Sequence, residues 1–291
     1  MPANTTSPLD RLPEPKRSSA GALLSGLTAL PGVVAVALGG SYASGMAHAD
    51  SDVDLGVYYR PKQPFEPDEV RRMVAALYPG PELTVTGFYQ WGPWVNGGAW
   101  IPTPGSRTDL LYRNLEQLDA VIQESQAGVY HWDYWQQPSY GFVSVISLAE
   151  IQICQPLHDP EGVLDGLKAR VQVYPPALRR RIVSDCLWQA EFARMHAEKS
   201  AQRGDVYNTV GCTARALACL TQVLFALNRV YFISDKGALQ RIEGFELRPP
   251  NYKTRVEALL AQPGETFSEL VPGVARLEQL RREVAALASV I

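Results

Sequence analysis

The sequence predicts an α/β (α+β) domain built on a mixed sheet, followed by an all-α helical bundle. Three observations carry this. Short apolar and period-two segments, the mark of strands, are confined to the first half of the chain. After Gly141 the apolar residues recur at helical spacing instead. In the first half, the β-branched run Val33-Val34-Ala35-Val36-Ala37-Leu38 stops at Gly39-Gly40-Ser41, and after ten intervening residues Asp52-Val53-Asp54 opens a second strand.

Residues 1–18 hold four prolines, several Ser and Thr and mixed charges, the composition of a mobile tail. The first domain is set at 19–140 and the helical domain at 141–291. Ser18 and Ser19 cap a first helix with Ala22, Leu23, Leu27 and Leu30 on its buried side, and Pro31-Gly32 ends it. After the two motif strands, Glu66 to Tyr78 reads as a helix with Val70, Met73, Val74 and Leu77 inward. Leu83 to Thr86 is a third strand, and Gly98 to Ile101 opens another. The passage between holds Trp91 and Trp94, with Trp100 beyond; these rings either fill a core edge or stack on a base or sugar. Arg107 to Tyr112 is a further strand carrying Asp109, and Asn114 caps a helix running to about Gln126.

Tyr130 to Trp135 is a second aromatic cluster, read as a packed hinge or a binding loop, with His131 or Asp133 the residues able to face a ligand. After Gly141 strand-like patterns disappear and helices are expected near 143–154, 160–171, 176–203, 206–230, 235–242, 252–261 and 267–289. Gly204-Asp205 breaks the two longest into a hairpin. Arg179-Arg180-Arg181 opens a helix, where the dipole disfavours cations, so a solvated face is the expected role.

The chemistry lies in the turn and the acidic strand. Gly39, Gly40 and Ser41 permit a tight turn and close approach of a ligand to backbone N–H groups. Strand periodicity puts Asp52 and Asp54 on one face. Two adjacent carboxylates repel, and a divalent cation removes that cost. Mg²⁺ favours carboxylates plus phosphate oxygens. The assembly therefore predicts a Mg²⁺–nucleoside triphosphate site, with Gly40 and Ser41 at the terminal phosphates and Asp52 and Asp54 at the metal.

The Gly-Ser, spacer, Asp-x-Asp pattern resembles the nucleotidyltransferase superfamily that includes DNA polymerase β and the aminoglycoside nucleotidyltransferases. The resemblance implies a third carboxylate on a later strand, which falls on Asp109, and two Mg²⁺ ions held by Asp52, Asp54 and Asp109. In the helical half, the stretch Leu227 to Ala238 looks like the segment of bacterial aminoglycoside adenylyltransferases that brings a lysine to the triphosphate. By that resemblance Lys236 binds nucleotide, and Asn208 lines the same cleft.

The expected activity is Mg²⁺-dependent transfer of a nucleoside monophosphate, AMP from ATP or another NTP, to a hydroxyl of a small aminoglycoside-like molecule. The net charge of −3 and pI near 5.9 suit a cationic small acceptor better than nucleic acid. A tRNA 3′ end or a protein side chain is the alternative acceptor. From another class, a non-catalytic nucleotide-binding regulator on the same fold is disfavoured, since a binder has no need of all three acids. Cys154, Cys186, Cys212 and Cys219 lack metal-ligand spacing. Without a signal peptide or an apolar run of membrane-spanning length, a cytoplasmic protein with no membrane partner is expected.

Overall fold

The computed structural model describes residues 7–80 and 83–289. They divide into two compact units. One runs to Gln123 and resumes over Ser147–Val173; the other takes Glu124–Ile146 and the chain from Tyr174 onward. Composition changes once, near Gly141, but the chain crosses between units three times.

In the first unit a 3-10 turn at Pro8–Arg11 leads into α1 (Lys16–Thr28). There follow β1 (Val33–Leu38), α2 (Gly40–Ser44), β2 (Val53–Tyr59), α3 (Pro67–Leu77), β3 (Thr84–Val85), β4 (Gly98–Thr103), β5 (Ser106–Asn114) and α4 (Leu115–Gln126). A hairpin of β6 (Trp132–Asp133) and β7 (Phe142–Val143) belongs to the second unit. The chain then returns through α5 (Val145–Ile153), β8 (Gln155–His158) and α6 (Val163–Val171). The main sheet has the order β3-β4-β5-β2-β1-β8. β2 and β5 run parallel, and the other neighbours are antiparallel. The mixed sheet is as expected. β1 and β2 supply its centre, with Val36, Leu38, Val53, Leu55 and Val57 fully buried. On the core side Tyr59, Phe65, Phe88 and Tyr112 meet edge to face or tilted, with centroids 4.4 Å apart for Tyr59–Phe88 and 4.9 Å for Phe65–Tyr112.

β8 corrects the expectation that strands cease after Gly141. Gln155–His158 pairs with the outer side of β1. Its four residues include Pro156 and give no alternation to read, and a proline is tolerated there because the strand lies at the sheet edge. Helix α1 also begins earlier than the cap expected at Ser18 or Ser19.

The tail reading fails over residues 8–18; residues 1–6 lie outside the described residues. Leu9 and Leu12 are buried in the core of the first unit. Lys16 is only 3% exposed. Its ammonium donates to the carbonyls of Ala49 and Ser51 at 2.7 and 2.8 Å and to the Tyr42 hydroxyl at 3.2 Å. A proline-rich composition concealed this because the partners are backbone carbonyls with no sequence signature.

The second unit is helical: α7 (Pro176–Ala201), α8 (Val206–Leu227), α9 (Ala238–Ile242), α10 (Tyr252–Ala261) and α11 (Phe267–Ala288). α7 and α8 form the expected hairpin. Gly204 turns it at φ 68°, and the Asp205 carboxylate caps α8 by accepting from the Asn208 N–H. α11 starts with a Thr266–Glu269 capping box. α8, at 22 residues, is long and apolar enough to cross a membrane by length and composition, but 72% of its apolar window is buried within the protein, as in a core helix. Arg179 donates to the Leu227 carbonyl at 2.9 Å, at the end of α8 where the dipole favours a cation. Arg181 pairs with Asp185.

Replacing Lys16 by Met strands two carbonyls that it now satisfies. The substitution is expected to lower unfolding free energy by about 2–4 kcal/mol, read as a shift in urea midpoint. A shift within experimental error would show that the Ala49–Ser51 loop does not depend on this ammonium.

Candidate active site

The motif residues converge at one end of β1, β2 and β5. β1 ends at Leu38, and Gly39 donates its N–H to the Asp54 carbonyl at 2.8 Å. The chain then enters α2, a single short helix that Gly45 ends at φ 76°. Gly40 has φ 56°, and a Cβ on it would fall 1.8 Å from Asp54 Oδ2. Glycine is therefore demanded twice, by conformation and by the carboxylate pressed against it. Ser41 follows within α2, and its carbonyl accepts from Met46 N–H.

Parallel pairing sets Asp54 directly opposite Asp109. Register partners in a parallel pair share a face, so both carboxylates stand on the same side of the sheet. Asp52 lies just before β2. The sequence thus places Asp52, Asp54 and Asp109 where the structure brings them together.

It missed the cation among them. Arg107 donates through Nε and Nη2 to Asp109 at 2.6 and 3.0 Å, and its Nη2 forms an ion pair with Asp52 at 2.9 Å. The guanidinium carbon sits 5.8 Å from the Trp100 ring centroid, and Trp100 stacks on Trp91 at 5.0 Å. The tryptophans thus stack on one another, and Trp100 also carries Arg107. The available signal was the period of two: Arg107 shares a face of β5 with Asp109, and three clustered acids call for a positive charge.

A second pair lies nearby. Arg113 on β5 donates to both oxygens of Glu150 at 3.1 and 2.9 Å. Glu150 sits on α5, far along the chain from the motif, so no local pattern could announce it.

Burial pushes the Asp54 carboxyl up to about 7, with the charges of Asp109, Glu150 and Asp52 adding to the shift and Arg113 opposing it. The residues fit a divalent cation on that ground: a buried carboxylate crowded by others is relieved by positive charge, and all the donors are hard oxygens. Among the described residues no three such side chains form a ready-made cage; Arg107 holds oxygens of two of the three acids.

Asn208 and Lys236 belong to the second unit. Asn208 donates to Ser200 Oγ at 2.6 Å and lies in the first turn of α8. Lys236 is exposed just before α9, its N–H donating to Ser234 Oγ. His48 is exposed in the loop before Asp52.

The Asp54 shift has a stability consequence. Its ordinary value is 3.8 and its folded value about 7. Between those values the folded chain holds a proton that the unfolded chain has lost. This contribution is therefore full below the lower value and disappears as pH rises through the upper one. In chelator-treated protein the urea midpoint should fall from about pH 4 to about pH 7, and Asp54→Asn should lose that component. The same slope in both proteins would assign the titration to another group.

Comparison with known proteins bears on this site. Residues 23–144 match the family model for the nucleotidyltransferase domain, and residues 142–236 match a domain of unknown function (DUF4037). No curated protein matches the chain. Among solved structures, a nucleotidyltransferase-like protein from Exiguobacterium sibiricum 255-15 aligns at a TM-score of 0.45 with 11% identity, over 94% of this chain and 78% of that one. The matched span 23–144 contains the Gly40 turn, Asp52 and the strands that bear Asp54 and Asp109, so the part of the chain that carries this site is the part that matches the nucleotidyltransferase domain.

Proposed function

We propose that the protein is an active, Mg²⁺-dependent nucleotidyltransferase that moves AMP from ATP to a hydroxyl of a small, aminoglycoside-like acceptor. The observation that supports catalysis over mere nucleotide binding is the grouping of Asp54 and Asp109 on one face of β2 and β5, with Asp52 joined to them through Arg107 and Asp54 raised by burial and by its acidic neighbours. A fold kept only for binding has no reason to bear that electrostatic cost. The domain match supports nucleoside monophosphate transfer in general; the acidic balance of the chain favours a cationic acceptor over nucleic acid.

Asp52, Asp54 and Asp109 would hold the metal, as two ions. Bound Mg²⁺ would supply Lewis-acid activation of the acceptor hydroxyl and charge neutralisation of the departing pyrophosphate. Gly40, lacking a Cβ, leaves the Asp54 oxygen clear, and with Ser41 it positions the terminal phosphates. Asp109 takes the acceptor proton. Arg107 holds Asp52 and Asp109 in place before the cation arrives, and it competes with that cation for their oxygens. In the second unit, Lys236 is the nucleotide-binding lysine that the resemblance to adenylyltransferases implies, and Asn208 is the polar residue proposed for nucleotide contact.

Label transfer tests the reading. The protein is incubated with Mg²⁺, each α-labelled triphosphate and a mixture of aminoglycosides, total tRNA and lysate protein, and the fractions are separated. Label is expected in the small-molecule fraction from ATP, reduced at least about a thousandfold in Asp54→Asn. Label in RNA or protein would move the acceptor to that class, and none in any fraction despite nucleotide binding would make the protein a regulator. Removing the competing guanidinium, in Arg107→Gln, is expected to tighten Mn²⁺ binding about tenfold by direct titration. Weaker binding would show that Arg107 helps to assemble the metal site.

A further inference from the structure

The second unit contains a cavity of about 860 Å³ whose lining includes none of the residues assigned above to the transferase site. Its walls come from three elements. α7 presents Asp185, Trp188 and Gln189 at spacings of three and four residues, so one helical face is turned to the cavity. α8 presents Gly211, Ala214, Arg215 and Ala218, again one face. Small residues on α8 leave the space open: a Cβ added at Gly211 would meet nothing within 4 Å. The third wall is the β6–β7 hairpin, carrying Trp132, Tyr134 and Tyr140.

The hairpin wall is fixed in place. Trp132 Nε1 donates to the Tyr140 carbonyl at 2.7 Å, closing the loop on itself. Ser139 and Tyr140 donate their N–H groups to Asp235 Oδ2 at 3.2 and 3.3 Å. Gly141, at φ 92°, packs so closely that a Cβ would lie 2.7 Å from the Asp133 carbonyl oxygen. On α7, Trp188 is 61% exposed with Phe192 stacked on one of its faces at 5.3 Å, which braces the ring and leaves the other face for a ligand.

Charge decides what the cavity suits. On α7, Arg181 and Asp185 face it and cancel, paired at 2.7 Å. On α8, Arg215 has no carboxylate partner among the described residues; it makes one long hydrogen bond, 3.3 Å, to Gln189 Oε1. The hairpin residues that line the cavity carry no charge. A guanidinium left over beside several aromatic rings suits a flat ring that bears an anion: the ring stacks and the anion takes the fork of N–H donors. The volume matches a small-ligand site.

We infer that the helical unit carries its own binding site for a planar aromatic ring bearing an anionic group, with Trp188 as the stacking platform and Arg215 as the anion anchor. Two sources offer that chemistry, a nucleoside monophosphate and an aromatic carboxylate. The site stands apart from the transferase reading and can fail without it.

Binding is followed by tryptophan fluorescence and calorimetry on the full chain with chelator present. AMP is expected to bind, with adenosine and ribose 5-phosphate each weaker by about tenfold, because each lacks one half of the recognised group. Arg215→Gln should bring AMP down to the level of adenosine. Trp188→Ala should weaken AMP about tenfold and Trp188→Phe should restore most of it, which separates lost stacking from lost fold. Asp54→Asn should bind as the unaltered protein does. Anthranilate bound as well as AMP would assign the site to aromatic acids at large; anthranilate ignored would assign it to nucleotides. Binding of neither, or AMP binding indifferent to both Arg215→Gln and Trp188→Ala, would overturn the proposal.

Discussion

The first unit is organised by the need to keep the partly buried Asp54 carboxylate against a glycine and among other acids. Placing a carboxylate there is unfavourable, and the surrounding residues each answer part of that cost. Gly40 yields the volume that a side chain would occupy. Parallel pairing of β2 with β5 fixes Asp109 opposite, so the acids meet by backbone register rather than by side-chain reach. Arg107 returns a positive charge to Asp52 and Asp109, and Arg113 does so for Glu150. Removing any one partner leaves a charge less compensated, which is the expensive error in a partly buried ionic cluster.

Lys16 extends the same logic to the backbone. The loop before Asp52 folds back with carbonyls at Ala49 and Ser51 that no strand or helix satisfies. One buried ammonium collects both, together with the Tyr42 hydroxyl on α2. The turn carrying Gly40 and the loop carrying Asp52 are thereby tied to one side chain on α1. The second unit uses charge differently. Arg194 bonds Glu191 and Glu198 along α7 and pairs with Glu278 on α11, while Arg281 and Arg282 hold the Glu278 carboxyl down to about 2. These pairs tie α7 to α11.

What was legible in the sequence was what local pattern encodes. The run Val33 to Leu38 could only be a buried strand, and Gly39-Gly40-Ser41 with Asp52-x-Asp54 has its meaning in a spacing. Helices α7, α8, α10 and α11 show as long 3.6-residue periods bounded by Gly204, Asp205 and Thr266. What escaped was encoded at a distance. Arg107 reads as an ordinary strand residue until β2 is known to lie beside β5. Glu150 and Arg113 meet only through the return of α5 to the first unit. β8 is four residues with a proline, and its identity as a strand comes from β1, not from itself. Lys16 was hidden by its proline-rich surroundings. The aromatic cluster from Tyr130 to Trp135 reads as a hinge or a binding loop; its rings form a cavity wall in a hairpin that Gly141 closes on itself and Asp235 anchors through Ser139 and Tyr140.

Arg107 gives the site a property that three bare carboxylates would lack. Without it, Asp52, Asp54 and Asp109 would depend on a bound cation merely to coexist, and the end of the sheet would loosen whenever the cation left. With it, the resting state is already paired: the guanidinium spans Asp52 and Asp109 and rests on Trp100, which in turn is braced by Trp91. Asp54 is left out of this arrangement. It is the acid whose carboxyl rises to about 7, and so the one with the most to gain from an incoming cation. The Arg107 side chain is half-exposed, so water can solvate its guanidinium when a cation takes its oxygens. The division of labour follows from partners: Asp52 and Asp109 are held by an arginine for stability, and Asp54 is kept in unmet need of charge for chemistry.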